Sequence, residues 1–199
     1  HRDEPVFDGQ YSNNCYQEAV KTAFGDFQRQ AEVEGRWKRG VDDPLTEQWA
    51  RIIMHLPYAF QAKRMFPDVF RHDRRGGPVW HEILAEIGEE PLREDFEDTP
   101  EGELAYDKSA NGYRRSISKT TAYQRFHSES IEKGQRASSL IGNQYTGSIF
   151  LALMSTFESD YDDNTSLEGK SFGLCGYGSG AKAKVFEGTV SENWREVVA

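Results

Sequence analysis

Residues 49–58, WARIIMHLPY, decide the fold of this chain. The apolar part, Trp49 to Met54, is typical of a short buried strand, and we expect that strand to end at His55. Pro57 suits the first turn of a helix, because a proline there loses no intrahelical hydrogen bond. The stretch therefore predicts a strand, a histidine at its carboxyl end and a helix that runs through Phe60 and Met65 and ends near Pro67.

Upstream of this stretch, apolar residues recur at three- and four-residue spacing from Asn13, which predicts a helix to about Glu34. Ser12 stands where a helix N-cap would be expected. Downstream, residues 71–118 have the least regular pattern. One amphipathic helix is predicted around residues 80–87, and residues 89–103 carry eight carboxylates against Arg93. We interpret residues 71–118 as an acidic helical or loop insertion on the surface.

The last third of the chain predicts further helices and strands. Residues 128–136 favour a helix, residues 137–142 a short strand and residues 146–157 a helix with one apolar face. Residues 171–177 and 181–190 alternate like two strands of a hairpin around Gly178-Ser179-Gly180. The predicted class is α/β, with a mixed sheet packed against helices.

Composition excludes several classes of function. The chain has 199 residues, of which 37% are hydrophobic, and a net charge of −9. That hydrophobic content suffices for a folded core, whereas the acidic charge disfavours nucleic acid and anionic membranes as partners. No apolar run approaches the roughly 20 residues of a membrane span. With only Cys15 and Cys175, and no metal-ligand spacing around them, we expect no disulfide framework, no metal site and a reducing, cytoplasmic setting.

His55 is the first candidate for chemistry. Ligands in α/β folds collect at the carboxyl ends of strands, and a histidine there can move a proton near neutral pH. Spacing alone favours a satisfied, partly buried structural histidine over a catalytic one.

Two glycine-containing segments are the other candidates. In GNQYTGS, residues 142–148, Asn143 offers an amide at a turn before a helix that Thr146 or Ser148 could cap. In GYGSG, residues 176–180, the backbone around Ser179 could offer N–H groups to an oxyanion or thioester. Either segment is also compatible with an ordinary turn without a ligand.

Four motifs occur in order along the chain: DGxxSxxCY from Asp8, HxPY from His55, GNxYTGS from Gly142 and YGSG from Tyr177. Together they resemble the second half of the hydroxymethylglutaryl-CoA synthases. These enzymes are members of the thiolase-like superfamily. The resemblance covers residues 1–199 almost end to end and is thin from about 71 to 118. It implies a thiolase-like C-terminal half.

The resemblance also implies a reaction. The family condenses acetyl-CoA with acetoacetyl-CoA in the mevalonate route to isoprenoids, and it needs no cofactor beyond these substrates. A cysteine is acetylated, a glutamate removes a methyl proton, and the carbanion attacks the ketone of the second substrate. By resemblance, His55 holds the ketone oxygen and protonates the alkoxide. Asn143 binds an acyl carbonyl, while Ser179 and Ser12 lie near the substrate.

For coenzyme A, the family carries basic residues five and nine positions after the histidine. Phe60 and Arg64 occupy those positions here, so Arg64 fits a phosphate contact and Phe60 does not. Lys63 is a plausible substitute. The basic residues from Lys63 to Arg75 predict a local positive patch for the phosphates, although an ordinary basic helix face would have the same composition.

The resemblance places the nucleophilic cysteine and the general-base glutamate in an N-terminal half that this chain does not include. Cys15 and Cys175 do not match the nucleophile. We therefore expect the chain, which begins at His1 without a methionine, to be a fragment or a processed product that is inactive alone. Its expected partners are acyl-CoA substrates, the N-terminal half and a second copy in a homodimer.

Two alternatives remain open from the sequence. A ketoacyl synthase of the third type would share the superfamily, but such enzymes usually read HQAN and GNTSA where this chain reads HLPY and GNQYTGS. A non-catalytic half-domain that only binds acyl-CoA or scaffolds a partner would explain the missing cysteine. It would not need His55, Asn143 and Ser179.

Overall fold

The computed structural model describes residues 9–40, 44–178 and 180–199, without the side chain of Gln10. Strands form a mixed sheet against which helices pack, as the sequence predicts. The helices are α1 (Gly9–Val33), α2 (Gln61–Arg74), α3 (Pro78–Ile87), α4 (Pro100–Ile117), α5 (Thr121–Ser130), α6 (Glu132–Ile141), α7 (Ser148–Asp162) and α8 (Trp194–Val198), and the strands are β1 (Trp49–Met54), β2 (Ser171–Gly178) and β3 (Lys182–Thr189).

The sheet order is β1-β2-β3. Strand β1 pairs in parallel with β2, and Met54 lies opposite Cys175, whereas β2 and β3 form the predicted antiparallel hairpin. A parallel pair needs a long crossover connection, and here the chain from α2 to α7 supplies it. Ile52 and Ile53, which point to opposite faces, are both buried. Helices therefore cover both faces of β1, which ends inside the protein.

Gly173 in β2 allows the sheet to pack closely against an aromatic ring. A Cβ atom built on Gly173 would overlap the indole of Trp49, which is itself buried. The rings of Phe24 and Phe27 from α1 lie 6.0 Å and 5.6 Å from the same indole. Strand β1, strand β2 and helix α1 therefore meet in one hydrophobic core.

Helix α2 neither begins at Pro57 nor ends near Pro67, as the sequence suggested, but runs from Gln61 to Arg74. A proline inside a helix leaves the carbonyl four residues earlier without its N–H partner. That carbonyl belongs to Lys63, and it accepts a hydrogen bond from the hydroxyl of Tyr123 in α5 at 3.3 Å. The neighbouring helix thus replaces the bond that Pro67 cannot make.

The predictions for Ser12 as an N-cap and for a strand at residues 137–142 were also wrong. Ser12 lies inside α1, which begins at Gly9. Residues 137–141 form the end of α6. Gly134 of this helix faces α7 and Ser138 is buried, whereas Leu140 is 81% exposed. A spacing of four between inward-facing residues is the period of a helix and not of a strand.

Residues 71–118 are more ordered than a surface loop. They include α3 and α4, and Ile83 and Ile117 are completely buried. Helix α4 begins with Thr99, whose side chain accepts the N–H of Gly102, and with Pro100 in the first turn. The acidic run before it is mostly exposed. None of the helices in the described residues is long and apolar enough to cross a membrane.

A buried carboxylate connects α7 to the sheet. Asp160 is fully buried, and its oxygens lie 2.5 Å and 2.9 Å from the guanidinium of Arg51 in β1. Lys133 from α6 lies 2.6 Å from the same carboxylate. Burial alone would raise the pKa of Asp160, but the hydrogen bonds and charges of Arg51 and Lys133 outweigh it and lower the pKa below its ordinary value.

Candidate functional site

His55 lies directly after β1, and its backbone is held on both sides. Its N–H donates to the carbonyl of Cys175 in β2 at 2.9 Å. Its carbonyl accepts a hydrogen bond from the hydroxyl of Tyr16 in α1 at 2.8 Å. The residue is 9% exposed, so the ring sits at the boundary between the core and solvent. The carboxyl end of β1 thus fixes the histidine on a rigid frame.

The His55 ring is held by Ser148, the first residue of α7. Ser148 Oγ lies 2.7 Å from His55 Nδ1 and also accepts the backbone N–H of Leu56 at 3.1 Å. Ser148 is completely buried. The sequence suggested Ser148 as a helix cap, but the α7 N-terminus has no side-chain cap. The hydroxyl instead joins α7 to the end of β1.

Two tyrosines complete the surroundings of the ring. The centroids of Tyr16 and Tyr177 lie 6.5 Å and 6.1 Å from that of His55, and the two tyrosine rings contact each other edge to face at 4.6 Å. Tyr177 belongs to GYGSG, Tyr16 to DGxxSxxCY and Ser148 to GNxYTGS. All of these sequence motifs therefore meet at the histidine of HxPY.

The groups around His55 are uncharged near neutral pH. Burial lowers the pKa of His55, which favours the neutral ring. Burial also raises the pKa of Tyr16, and it raises the pKa of the Cys175 thiol to about 12. A neutral imidazole in an apolar setting can donate one N–H to an oxygen on which negative charge develops.

Asn143 stands in the turn between α6 and α7. Helix α6 ends at Ile141 and is followed by Gly142, whose φ of 90° is a left-handed conformation that favours glycine. Asn143 is exposed, and its Oδ1 accepts the backbone N–H of Tyr145 at 2.7 Å. Because the turn occupies the oxygen, the amide hydrogens of Asn143 are left for another acceptor.

Of the two predicted substrate serines, Ser12 lies within the described residues and Ser179 does not. Ser12 is exposed on α1, one helical turn before Tyr16. Ser179 lies outside the described residues, although its neighbour Tyr177 lies beside His55. Both assignments remain predictions.

Of the predicted coenzyme A contacts, Arg64 and Lys63 both lie in the first turn of α2. Arg64 is exposed, and its guanidinium lies 5.8 Å from the ring centroid of Tyr58, at the turn that follows His55. Lys63 donates to Gln124 of α5 at 3.4 Å. Within the described ranges neither side chain forms an ion pair with a carboxylate.

The predicted positive patch from Lys63 to Arg75 does not exist as one surface. Its three other basic side chains are neutralised by carboxylates, because the fold brings acidic residues from three segments against α2. These ion pairs join Arg71 to Asp68 and Glu90, Arg74 to Glu47 and Asp73, and Arg75 to Glu90. Only Lys63 and Arg64 of the patch remain for a phosphate.

The cysteines differ in their surroundings. Cys175 is completely buried in β2, and its raised pKa keeps it as an unreactive thiol at neutral pH. Cys15 is partly buried in α1, next to Tyr16. Neither lies in the kind of electropositive surroundings that activate a nucleophilic thiol, among the contacts described for these residues.

Sequence reasoning missed that Tyr16, Ser148 and Tyr177 contact or surround His55. Each of them stands at an end of a motif that the sequence contains. Only the order of the motifs along the chain could have indicated that these residues share a site. The three residues approach His55 from different elements, and their spacing in the sequence does not indicate a shared site.

Comparisons with known proteins agree on one family. The family model described as hydroxymethylglutaryl-coenzyme A synthase C terminal matches residues 2–198. The chain is 28% identical to the hydroxymethylglutaryl-CoA synthase of Haloferax volcanii over 98% of this chain and 40% of that protein. It is 24% identical to that of Saccharomyces cerevisiae over 92% of this chain and 35% of that protein. The chain therefore spans about two fifths of the curated relatives it matches.

Solved structures show the same fold. A structure of MvaS in complex with 3-hydroxy-3-methylglutaryl coenzyme A superposes with a TM-score of 0.67 and 25% identity, over 99% of this chain and 39% of that one. The curacin biosynthetic pathway HMG synthase, in complex with holo donor-ACP, gives a TM-score of 0.61 at 17% identity over 100% of this chain and 36% of that one. At 17% identity, the similarity to the curacin pathway synthase concerns the fold alone.

Proposed function

This chain belongs to the C-terminal family of the hydroxymethylglutaryl-CoA synthases, as its match over residues 2–198 establishes, and we propose that it supplies the acceptor side of a synthase active site. By the acceptor side we mean the part that binds acetoacetyl-CoA, the substrate whose ketone is attacked. That site condenses acetyl-CoA with acetoacetyl-CoA to hydroxymethylglutaryl-CoA, a step of the mevalonate route. The N-terminal half, which in this proposal carries the nucleophilic cysteine and the general-base glutamate, completes the enzyme. We call this chain together with that half the complete synthase.

The observation that carries the proposal is the convergence of separate motifs on one histidine. Tyr16 holds the His55 carbonyl at 2.8 Å, Ser148 holds the ring at 2.7 Å, and Tyr177 flanks it. A scaffold would not need a histidine fixed at three points at the end of a strand. A catalytic donor needs that rigidity, because its hydrogen must already point to where charge develops.

In the condensation, the acetyl group on the cysteine loses a methyl proton to the glutamate, and the resulting carbanion attacks the ketone carbon of acetoacetyl-CoA. A carbon–carbon bond forms while the ketone π bond breaks and its electron pair moves to oxygen. His55 donates a hydrogen bond through its N–H to that oxygen and stabilises the alkoxide. The alkoxide takes up the proton that the glutamate removed, and water hydrolyses the cysteine thioester to release hydroxymethylglutaryl-CoA. The amide of Asn143 binds an acyl carbonyl, and Ser179 and Ser12 lie near the thioester.

An exposed apolar surface of the chain supports association with another protein surface. Large apolar side chains at the end of α6, in the following turn and on α7 are exposed: Leu140, Ile141, Tyr145, Phe150 and Met154. Phe150 and Met154 are four residues apart and share one face of α7. Such a face is usually covered in the assembled protein. We propose that the N-terminal half covers this face, and we further propose that the complete synthase forms a homodimer.

The remaining properties follow from the same proposal. The enzyme uses its CoA thioesters as substrates and needs neither a metal nor another cofactor. We propose a cytoplasmic location, for which a relative supplies support: the Mus musculus protein, 26% identical over 95% of this chain, is named cytoplasmic hydroxymethylglutaryl-CoA synthase.

Replacing Arg64 with alanine is expected to raise the KM for acetoacetyl-CoA about tenfold, because a charge-assisted bond to a phosphate contributes roughly 1.5–3 kcal/mol. The value of kcat should change much less, since the phosphate is remote from the reacting atoms. Steady-state kinetics of the complete synthase measure both. Arg115, which is exposed on α4, is the matched control for loss of a surface arginine. An unchanged KM in the Arg64 variant would remove this residue from the coenzyme site.

The function is tested by following the consumption of acetoacetyl-CoA that depends on acetyl-CoA. The complete synthase should form hydroxymethylglutaryl-CoA, whereas this chain without the N-terminal half should form none. If the complete synthase instead extends an acyl chain without forming a branched product, the ketoacyl synthase alternative is correct. If it binds acyl-CoA and forms no product, the non-catalytic alternative is correct.

A further inference from the structure

The buried hydroxyl of Ser148 contacts the ring of the candidate catalytic histidine as well as the backbone beside it. Its oxygen accepts the N–H of Leu56 at 3.1 Å and lies 2.7 Å from Nδ1 of the preceding residue, His55. One side chain of α7 therefore contacts two consecutive residues at the end of β1. This arrangement fixes both the path of the backbone after His55 and the orientation of its ring.

The hydrogen bonds of Ser148 favour one tautomer of His55, because an Nδ1–H donating to Ser148 would leave the buried hydroxyl hydrogen without an acceptor among the described residues. A serine hydroxyl has one hydrogen and two lone pairs. One lone pair accepts the Leu56 N–H, and Nδ1 is the acceptor in reach of the hydroxyl hydrogen among the described residues. A neutral ring that accepts at Nδ1 must carry its hydrogen on Nε2. The described residues offer Nε2 no hydrogen-bond partner, so that hydrogen is available to a ligand.

We propose that Ser148 is a positioning residue that holds the His55 ring in the tautomer with its hydrogen on Nε2, aimed at the substrate oxygen. The catalytic consequence of this assignment rests on the proposed function. The tautomer itself does not, because it follows from contacts within this chain. Ser148 acts only through His55, since it is completely buried and cannot reach a substrate.

The chain contains a matched control on the same helix. Ser155 of α7 is also buried, and its hydroxyl accepts the backbone N–H of Ala137 at 3.1 Å and donates to the carbonyl of Lys133 at 2.7 Å. It thus links α6 to α7 by the same kind of bonds, but it has no contact with His55. Loss of either hydroxyl removes similar packing, and only the loss of Ser148 should affect the histidine.

The test compares the Ser148→Ala, Ser155→Ala and His55→Ala variants of the complete synthase, labelled with [15N]histidine. The His55→Ala spectrum assigns the His55 ring signals by their disappearance. In the unmodified protein, Nε2 should give the signal of a protonated ring nitrogen and Nδ1 that of an unprotonated one. In Ser148→Ala the two signals should move toward each other as the tautomers mix, whereas Ser155→Ala should leave them unchanged.

Kinetics supply the second readout. In Ser148→Ala, kcat should fall about 10- to 100-fold, less than the roughly 10²- to 10³-fold loss caused by removing an oxyanion donor. The KM for acetoacetyl-CoA should change little, because the interaction acts in the transition state. In Ser155→Ala both constants should stay near those of the unmodified enzyme.

A His55 ring with its hydrogen on Nδ1 would overturn the assignment, as would a Ser148→Ala variant with unchanged tautomer signals or with unchanged kcat. Failure of the proposed function has a different signature. In that case the unmodified complete synthase would form no branched product, or His55→Ala would retain normal turnover, whatever the tautomer of the unmodified protein.

Discussion

Replacing His55 with alanine in the complete synthase should lower kcat about 10³-fold, because removing a hydrogen-bond donor to a developing oxyanion costs roughly 10²- to 10³-fold. The ring is held by Ser148 at 2.7 Å and its backbone by Tyr16 at 2.8 Å, so the alanine variant loses a positioned N–H. The KM for acetoacetyl-CoA should change less than kcat, since the proposed coenzyme contact of Arg64 is not altered. Initial rates at saturating acetyl-CoA measure the effect.

His81 provides the control for this substitution. It is exposed on α3 and carries no contact with the site, so His81→Ala should leave turnover unchanged. Near-normal turnover of His55→Ala, with the fold shown intact by circular dichroism, would remove His55 from the chemistry. The proposal that this chain supplies the acceptor side would then fail with it.

Replacing Asp160 with asparagine should destabilise the domain by about 3–5 kcal/mol, because breaking a buried ion pair leaves an uncompensated charge inside the protein. The charge left behind is that of Arg51, whose side chain is only 14% exposed, with Lys133 beside it. Urea unfolding of the complete synthase, followed at the transition that includes this domain, measures the loss.

Asp163 is the matched control, since it also pairs with Lys133 at 2.6 Å but is 61% exposed. An exposed pair contributes only about 0–1 kcal/mol, so Asp163→Asn should be nearly neutral. Equal effects of the two variants would show that burial of Asp160 does not decide its contribution.

The same carboxylate predicts a dependence of stability on pH. The pKa of Asp160 is lower in the folded chain than in the unfolded chain, so the unfolded state binds the proton more readily. Its stabilisation is therefore complete above the unfolded pKa and is lost as the pH falls through the folded pKa. The Asp160→Asn variant should lack this component of acid unfolding.

The parts of the fold that the sequence predicted correctly depend on local patterns. Strand β1 was predicted at its observed bounds, and the β2–β3 hairpin was predicted within a few residues. The errors arose where a tertiary partner decides the structure. Pro67 stays inside α2 because Tyr123 from α5 satisfies the Lys63 carbonyl. No pattern around Pro67 indicates that partner.

The same limit applies to the site. His55 and Asn143 could be named from the sequence because each follows an element end within a recognisable motif. The bond from Ser148 to His55 joins residues 93 positions apart, and its prediction requires the packing of α7 against β1. The positive patch failed for a related reason, since the carboxylate of Glu90 that neutralises Arg71 and Arg75 reaches them only in the folded chain.

The central claim, that His55 donates its Nε2 hydrogen to the ketone oxygen of the acceptor substrate, is tested most directly by a crystal structure of the complete synthase with acetoacetyl-CoA. The predicted result is a distance of about 2.6–3.2 Å between His55 Nε2 and the ketone oxygen, with Nδ1 still bonded to Ser148. A ketone oxygen held by another donor, with the His55 ring directed away from it, would contradict the account.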